Sequence, residues 1–209
     1  MAAEPDPHTT VSDPRAALDV HVADSLSALE LPGVAGARRV ADLGAGAGFP
    51  GLALAIALPR ARVDLIESAG RKAALIERLA REAEIANARA VTARAEEWGG
   101  RPPALGGGAE AYDLVTARAL ASLPVLCEYA APLLIRDGRL VAWKGRRSAE
   151  EEAGGAQAAE RLGLAVESVV AVTPFEGARN HHLHVFRKLA PTPEGFPRRP
   201  GMARKRPLG

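Results

Sequence analysis

The stretch Asp42-Leu43-Gly44-Ala45-Gly46-Ala47-Gly48-Phe49-Pro50-Gly51 is the part of the chain best suited to holding a ligand. Gly44, Gly46 and Gly48 carry no Cβ, so a backbone built from them can turn tightly and approach a bound group closely. The residues before them, 39–43, read as a short buried strand. Residues 51–58 read as a helix that Pro59 stops. Loop amides at the start of that helix can face the ligand. Glu67 ends a second strand about 20 residues on, where a carboxylate can accept hydrogen bonds from both hydroxyls of a ribose. The implied chemistry is the holding of a nucleoside.

Three readings of this loop compete. Gly46-Ala47-Gly48-Phe49-Pro50-Gly51 also satisfies the G-x-G-x-x-G pattern of dinucleotide sites, and the glycines are open to a purely structural role. Three features favour S-adenosylmethionine. Asp42 stands just before the first glycine, where a carboxylate can face a cationic methionine end. A chain of 209 residues is short for a second substrate domain of the dehydrogenase kind. The chain also ends on two strands with no helix between them. Ala95-Glu96 follows a third strand, where an adenine would lie if Glu67 holds the ribose; Glu96 and Glu97 equally suit the dipole of a helix start.

The elements that must position these residues alternate in type. A helix starts at Ser12 or Asp13, with Pro14 in its first turn, and runs through Leu29. Strands are expected over 39–43, 62–66, 88–92, 112–116 and 139–143, with helices over 51–58, 69–85, 124–134 and 148–162 between and after them. Residues 166–172 and 182–186 alternate like an antiparallel pair. This is an α/β domain with a mostly parallel sheet and a reversed C-terminal edge strand. Its glycine loop falls at the carboxyl edge of the strands. The domain is expected over 12–190, preceded by a disordered segment 1–11 and followed by a basic tail, 191–209.

Composition narrows the setting. Apolar residues make up 47%, enough for one sizeable core, and the formal charge is only +2, so the placement of charge matters more than its sum. A single cysteine, Cys127, excludes a disulfide framework and suits a reducing cytoplasm. The N-terminal residues have neither the basic nor the apolar region of a secretory signal. The apolar run at 52–58 is too short to span a bilayer. The expectation is a cytoplasmic monomer with no membrane contact. Cys127 reads as a packing residue within a helix. His181, His182 and His184 form a short cluster, but no further ligand is evident nearby, and no metal site is expected. His21 and Asp24, three apart on a helix, are placed to pair with each other.

Several segments together resemble one family. His21-x-x-Asp24-Ser25-Leu26, the turn 42–51, Arg94-Ala95-Glu96-Glu97, Ala117-Arg118-Ala119-Leu120-Ala121-Ser122-Leu123, Trp143-Lys144-Gly145 and Phe196-Pro197-Arg198-Arg199-Pro200-Gly201 occur in the order found in the RsmG (GidB) family of 16S rRNA guanine-N7 methyltransferases. The resemblance runs from about residue 13 to the C-terminus. It departs from the family before Asp13-Pro14, where Thr9-Thr10-Val11-Ser12 stands in place of a longer helical segment, and at Val20 and 180–184.

The resemblance implies a class I methyltransferase fold and S-adenosyl-L-methionine contacts at Gly44, Phe49, Ala95, Glu96 and Arg118. It also implies methyl transfer to a guanine N7 in 16S rRNA or a small-subunit particle. That nitrogen already bears a lone pair, so the reaction needs positioning rather than a strong base. Arg118, after the fourth strand, is expected at the face where the base enters, and Lys144, with Arg146 and Arg147 beside it, at RNA phosphates. The tail arginines and lysine at 198, 199, 204, 205 and 206, held extended by prolines, are expected to grip phosphates away from the cofactor. The competing readings are a methyltransferase of another substrate and a nucleotide- or RNA-binding module without catalysis.

Overall fold

A computed structural model describes residues 18–209. The segment 1–11 and the first turn of the expected N-terminal helix lie outside the described residues. The chain is helical from Leu18 to Glu30, through a π-helical turn (Leu18–Ala23), one α turn (Asp24–Leu26) and a 3₁₀ turn (Ser27–Glu30). Seven strands follow: β1 (Arg39–Leu43), β2 (Arg62–Glu67), β3 (Ala88–Thr92), β4 (Tyr112–Arg118), β5 (Leu134–Lys144), β6 (Leu164–Val172) and β7 (His181–Lys188). The helices are α1 (Gly51–Ala57), α2 (Gly70–Glu82), α3 (Ala95–Gly99), α4 (Leu123–Ala130), α5 (Ala149–Arg161) and α6 (Met202–Lys205).

The strands form one sheet in the order β3-β2-β1-β4-β5-β7-β6. β1 to β5 are parallel, and β7 runs antiparallel to both of its neighbours. The reversed strand is therefore the last one, as expected, but it sits one place in from the edge and β6 is outermost. The helix expected over 124–134 ends at Ala130, since Pro132 follows and Leu134 already belongs to β5.

Alternation along each strand supplies two cores. Val40, Val63, Leu65, Leu114, Val141 and Leu183 face one side, against Leu52 and Leu54 of α1, Ile76 of α2 and Ala28 of the N-terminal segment. Ala41, Leu43, Val115, Ala117, Leu140 and Phe186 face the other, against Leu123, Leu126 and Cys127 of α4 and Ala158 of α5. This period-2 division is what a sheet covered on both faces requires. Cys127 is buried and its thiol is pushed up by burial, which fits the packing role read from the sequence.

The C-terminal segment is part of this body. Arg198 donates through Nε to the fully buried Glu128 at 2.8 Å, and Ala203 and Leu208 join the core beside α4. The expectation of an extended tail is corrected here. Leu208 and Ala203 supply enough apolar surface to fold the segment back, and Glu128 gives one of its arginines a buried partner.

Candidate active site

The strands reverse their order of addition between β1 and β4, and the glycine loop leaves β1 at that switch point. Gly44, Gly46 and Gly48 all take left-handed φ values, +63°, +57° and +96°. Any larger residue there is strained. A Cβ on Gly44 would also meet Leu120 Cδ1 at 2.5 Å, and one on Gly48 would meet Leu52 Cδ1 at 2.5 Å. Around Gly46 the space is open, with nothing nearer than 3.7 Å.

Two carboxylates brace the loop. Glu67, at the end of β2, accepts from the Gly46 amide at 3.1 Å and the Ala69 amide at 2.8 Å. Asp42 accepts from the Gly51 amide at 2.9 Å and from Thr116 Oγ1 at 2.8 Å. Asp42 is fully buried. Burial pushes its carboxyl up to about 7, against the downward pull of the bonds from Thr116 and Gly51 and of the Arg118 charge. The expectation that Asp42 faces a methionine end is thus corrected. Its side chain points into the sheet because Gly51 and Thr116 offer the donors that a buried carboxylate needs.

Beside the loop lies a cleft of about 330 Å³, lined by Gly44, Ser68, Ala95, Glu96, Leu120 and Arg204, among others. Of the expected cofactor residues, Gly44, Ala95 and Glu96 meet here. Glu96 is largely buried, and one of its oxygens accepts from the Gly201 amide at 2.8 Å. Tyr129 and Arg204 complete the far wall. The Arg204 guanidinium donates to the Leu120 carbonyl at 2.9 Å. Tyr129 did not stand out in the sequence; Arg204 did, as a tail cation expected to grip phosphates away from the cofactor, and its place in this wall corrects that expectation. Arg204 enters the cleft only because the C-terminal segment folds back, and no local pattern carries that signal.

A second cavity, of about 470 Å³, opens on the other side of the β4 terminus. Asp24, Arg118, Trp143, Lys144, Arg146 and Arg179 are among its lining residues. Ala119 separates the two spaces. It holds φ at +54°, which costs a non-glycine residue about 1 kcal/mol. That turn sends Arg118 to one cavity and Leu120 to the other. The Ala-Arg-Ala-Leu segment singled out in the sequence is the partition between them.

Asp24 anchors the second cavity. Its carboxylate accepts from Arg118 at 2.9 Å and lies 3.0 Å from His181 Nδ1, while its carbonyl accepts from Trp143 Nε1 at 2.9 Å. His21 has its pKa lowered by burial and by the Arg118 charge, against which the Asp24 charge pulls upward. It stacks on Phe49 at 5.2 Å and lies 3.4 Å from Arg118. Phe49 therefore touches this side of the loop, beneath the Arg118 guanidinium at 5.9 Å. Lys144 lines the cavity but is ion-paired to Glu151 at 2.6 Å, and Arg147 is paired to Glu152 at 2.7 Å. A phosphate reaching either must compete with a carboxylate already in place. Glu151 and Glu152 stand in the first turn of α5, where its dipole holds them.

A parallel sheet whose last strand turns back, with a glycine loop at its switch point, is the class I arrangement of S-adenosylmethionine-dependent methyltransferases, and the molecule is an enzyme of that class. Among solved structures, the S-adenosylmethionine-dependent methyltransferase SibL shares the fold with a TM-score of 0.60 at 16% identity, over 79% of this chain and 55% of that one. The chain belongs to the GidB family: the family model described as rRNA small subunit methyltransferase G matches residues 8–182. It is 38% identical over 206 residues to a ribosomal RNA small subunit methyltransferase G of Synechococcus sp. (strain JA-2-3B'a(2-13)), covering 96% of this chain and 78% of the relative. It is 40% identical over 202 residues to the protein of that name from Roseiflexus castenholzii, covering 96% and 83%. No helix among the described residues is long and apolar enough to cross a membrane.

Proposed function

We propose that the protein transfers the methyl group of S-adenosylmethionine to N7 of a guanine in small-subunit (16S) ribosomal RNA, acting as a monomer in the cytoplasm. The observation that carries this reading is the second cavity, with Arg118, Lys144, Arg146 and Arg179 around one opening, set beside the cofactor cleft across Ala119.

The residues present suit the cofactor. Ala95 leaves room for an adenine, and the Glu96 carboxylate keeps lone pairs beyond the one used by Gly201. Glu67 has spare lone pairs for the ribose hydroxyls, and the open space at Gly46 admits close backbone approach. Gly44 and Gly48 shape the loop, and Phe49 and Arg118 close the side toward the substrate. S-adenosylmethionine supplies an electrophilic methyl on a sulfonium. The chain's own residues orient the acceptor: Arg118, fixed by Asp24, offers a planar guanidinium to a purine face or edge. The lone pair on guanine N7 needs no proton removed, so positioning and exclusion of water suffice. Arg146 and Arg179 are placed for phosphates, with Lys144 held in reserve by Glu151.

The test is transfer of tritium from labelled S-adenosylmethionine into 16S rRNA, followed by base analysis of the product. Label recovered as 7-methylguanine supports the reading. Label at another base, or none in RNA, overturns it.

A further inference from the structure

The amino-terminal ends of the parallel strands, opposite both cavities, carry a second concentration of positive charge. Arg39 is the first residue of β1 and Arg62 the first of β2, and the two are register partners on adjacent strands. With Arg60 and Arg89 they line a groove of about 550 Å³. Like charges side by side on neighbouring strands are destabilising, so this arrangement needs a source of negative charge.

The carboxylates at hand are already committed. Asp64, the acidic residue in the groove wall, is 4% exposed. It accepts from Arg89 Nε at 2.6 Å and from the Tyr112 hydroxyl at 2.6 Å. Asp113 spends both oxygens on the Arg38 and Arg39 amides, at 2.8 and 3.0 Å. Among the described residues neither Arg60 nor Arg62 makes an ion pair, and both are exposed. The floor is fixed: the Asn87 side-chain amide donates to the carbonyls of Ala55, Leu58 and Ala61 at 2.9, 3.1 and 3.0 Å, tying the start of β3 to the loop that bears Arg60. Four guanidinium groups thus surround a preformed groove; among the described residues Arg89 pairs with Asp64, Arg39 lies over the Tyr112 ring at 5.7 Å, and Arg60 and Arg62 have no ion pair. Planar guanidinium forks match phosphate oxygens two at a time.

We propose that this groove is a second RNA-backbone contact, gripping phosphates of the substrate RNA remote from the methylated base. The proposal rests on the rRNA reading of the catalytic edge. Five residue steps along β2 separate Arg62 from Glu67, about 16 Å at the rise of a strand. One RNA fold large enough to wrap the sheet edge reaches both places. Phosphate contacts here fix orientation and carry no base preference.

The experiment uses the full chain and a 16S rRNA transcript, with binding measured over about 50 to 200 mM salt. The double variant Arg60→Ala/Arg62→Ala removes two cations that have no ion pair and leaves Arg39 over Tyr112 and the Arg89–Asp64 pair. It is expected to lower RNA affinity by about fivefold or more and to flatten the slope of log affinity against log salt by about 0.7 to 0.9 per lost contact. Affinity for S-adenosylmethionine and the melting temperature should stay at wild-type values. Arg60→Lys/Arg62→Lys should restore the slope, since it returns the charge without the fork. An unchanged affinity and slope in the alanine variant overturns the groove. If the wild type binds RNA with a slope that the variant lacks yet transfers no methyl, the groove stands and the methylation reading falls. If the wild type binds no RNA, both fall.

Discussion

The guanidinium of Arg204 donates to the backbone carbonyl of Leu120 across 2.9 Å, joining residues 84 positions apart at the wall of the cleft proposed for the cofactor. Tyr129 stands in the same wall; burial and the Glu96 charge push its ionisation up, and Arg204 draws it back. Arg204→Ala should therefore weaken S-adenosylmethionine binding by roughly threefold to tenfold, up to about 1.4 kcal/mol. Isothermal titration calorimetry reads this directly. A dissociation constant equal to that of the wild type would reduce Arg204 to a bystander at the wall.

Arg198 and Glu128 carry a different expectation, about stability. Glu128 is fully buried and Arg198 is 23% exposed at its side chain. Arg198→Ala leaves that carboxylate without its cation, a loss of about 3 kcal/mol by analogy with other broken buried pairs. Glu128→Gln should cost less, because it removes the stranded charge. Urea unfolding at neutral pH compares the two variants. Equal losses would mean that the ion pair is not what holds the segment down.

Asp42 links stability to pH. Its folded value is about 7 against an ordinary 3.8, so the native state binds more protons than the unfolded chain between those values. Stability from this group is greatest below about pH 4, declines as pH rises through the window, and is level above about pH 7. Asp42→Asn should remove that decline. Its amide can donate to Thr116 Oγ1 while its oxygen accepts from Gly51, with the threonine hydroxyl turning toward the Ala41 carbonyl, now 3.5 Å away. Relative to wild type, the variant should gain stability as pH is raised from 4 to 7. A constant difference across that range would show that Asp42 does not titrate there.

Arg118 stands at the mouth of the second cavity. Arg118→Ala should lower methyl transfer at least about tenfold, equivalent to ~1.4 kcal/mol of barrier. It also strands Asp24, so Arg118→Lys is the necessary companion: a lysine keeps a cation near Asp24 but loses the planar fork. Slow transfer with near-native melting in the lysine variant assigns Arg118 to the reaction. Full transfer in that variant leaves it only the task of neutralising Asp24.

Much of this site was legible in the sequence because its signals are local. The three glycines allow left-handed backbone at no steric cost, which all three adopt, and the apolar run before them identifies a strand. Glu67 was placed correctly at the end of β2 by its spacing, and Ala95 and Glu96 by their position after β3. Other features depended on contacts between distant residues. Asp42 looked available to a ligand until Thr116, 74 residues on, took its carboxylate. Lys144 looked free until α5 brought Glu151 to it. The C-terminal segment read as an extended, phosphate-gripping tail because proline and arginine dominate it; Ala203 and Leu208, small signals in the sequence, decide its course. Asp24 was noticed, but its true partners, Arg118 and His181, lie 94 and 157 positions away.

The folded-back segment also bears on the order in which the enzyme becomes competent during synthesis. Gly44, Ala95, Leu120 and Tyr129 emerge from the ribosome well before Gly201 and Arg204, so a nascent chain holding every strand still has a cleft open on one side. Domains fold from the N-terminus as they are made, which lets the sheet form first and the last wall arrive afterwards. A chain cut short at β7 would have the sheet of a methyltransferase without the Gly201 and Arg204 side of this cleft.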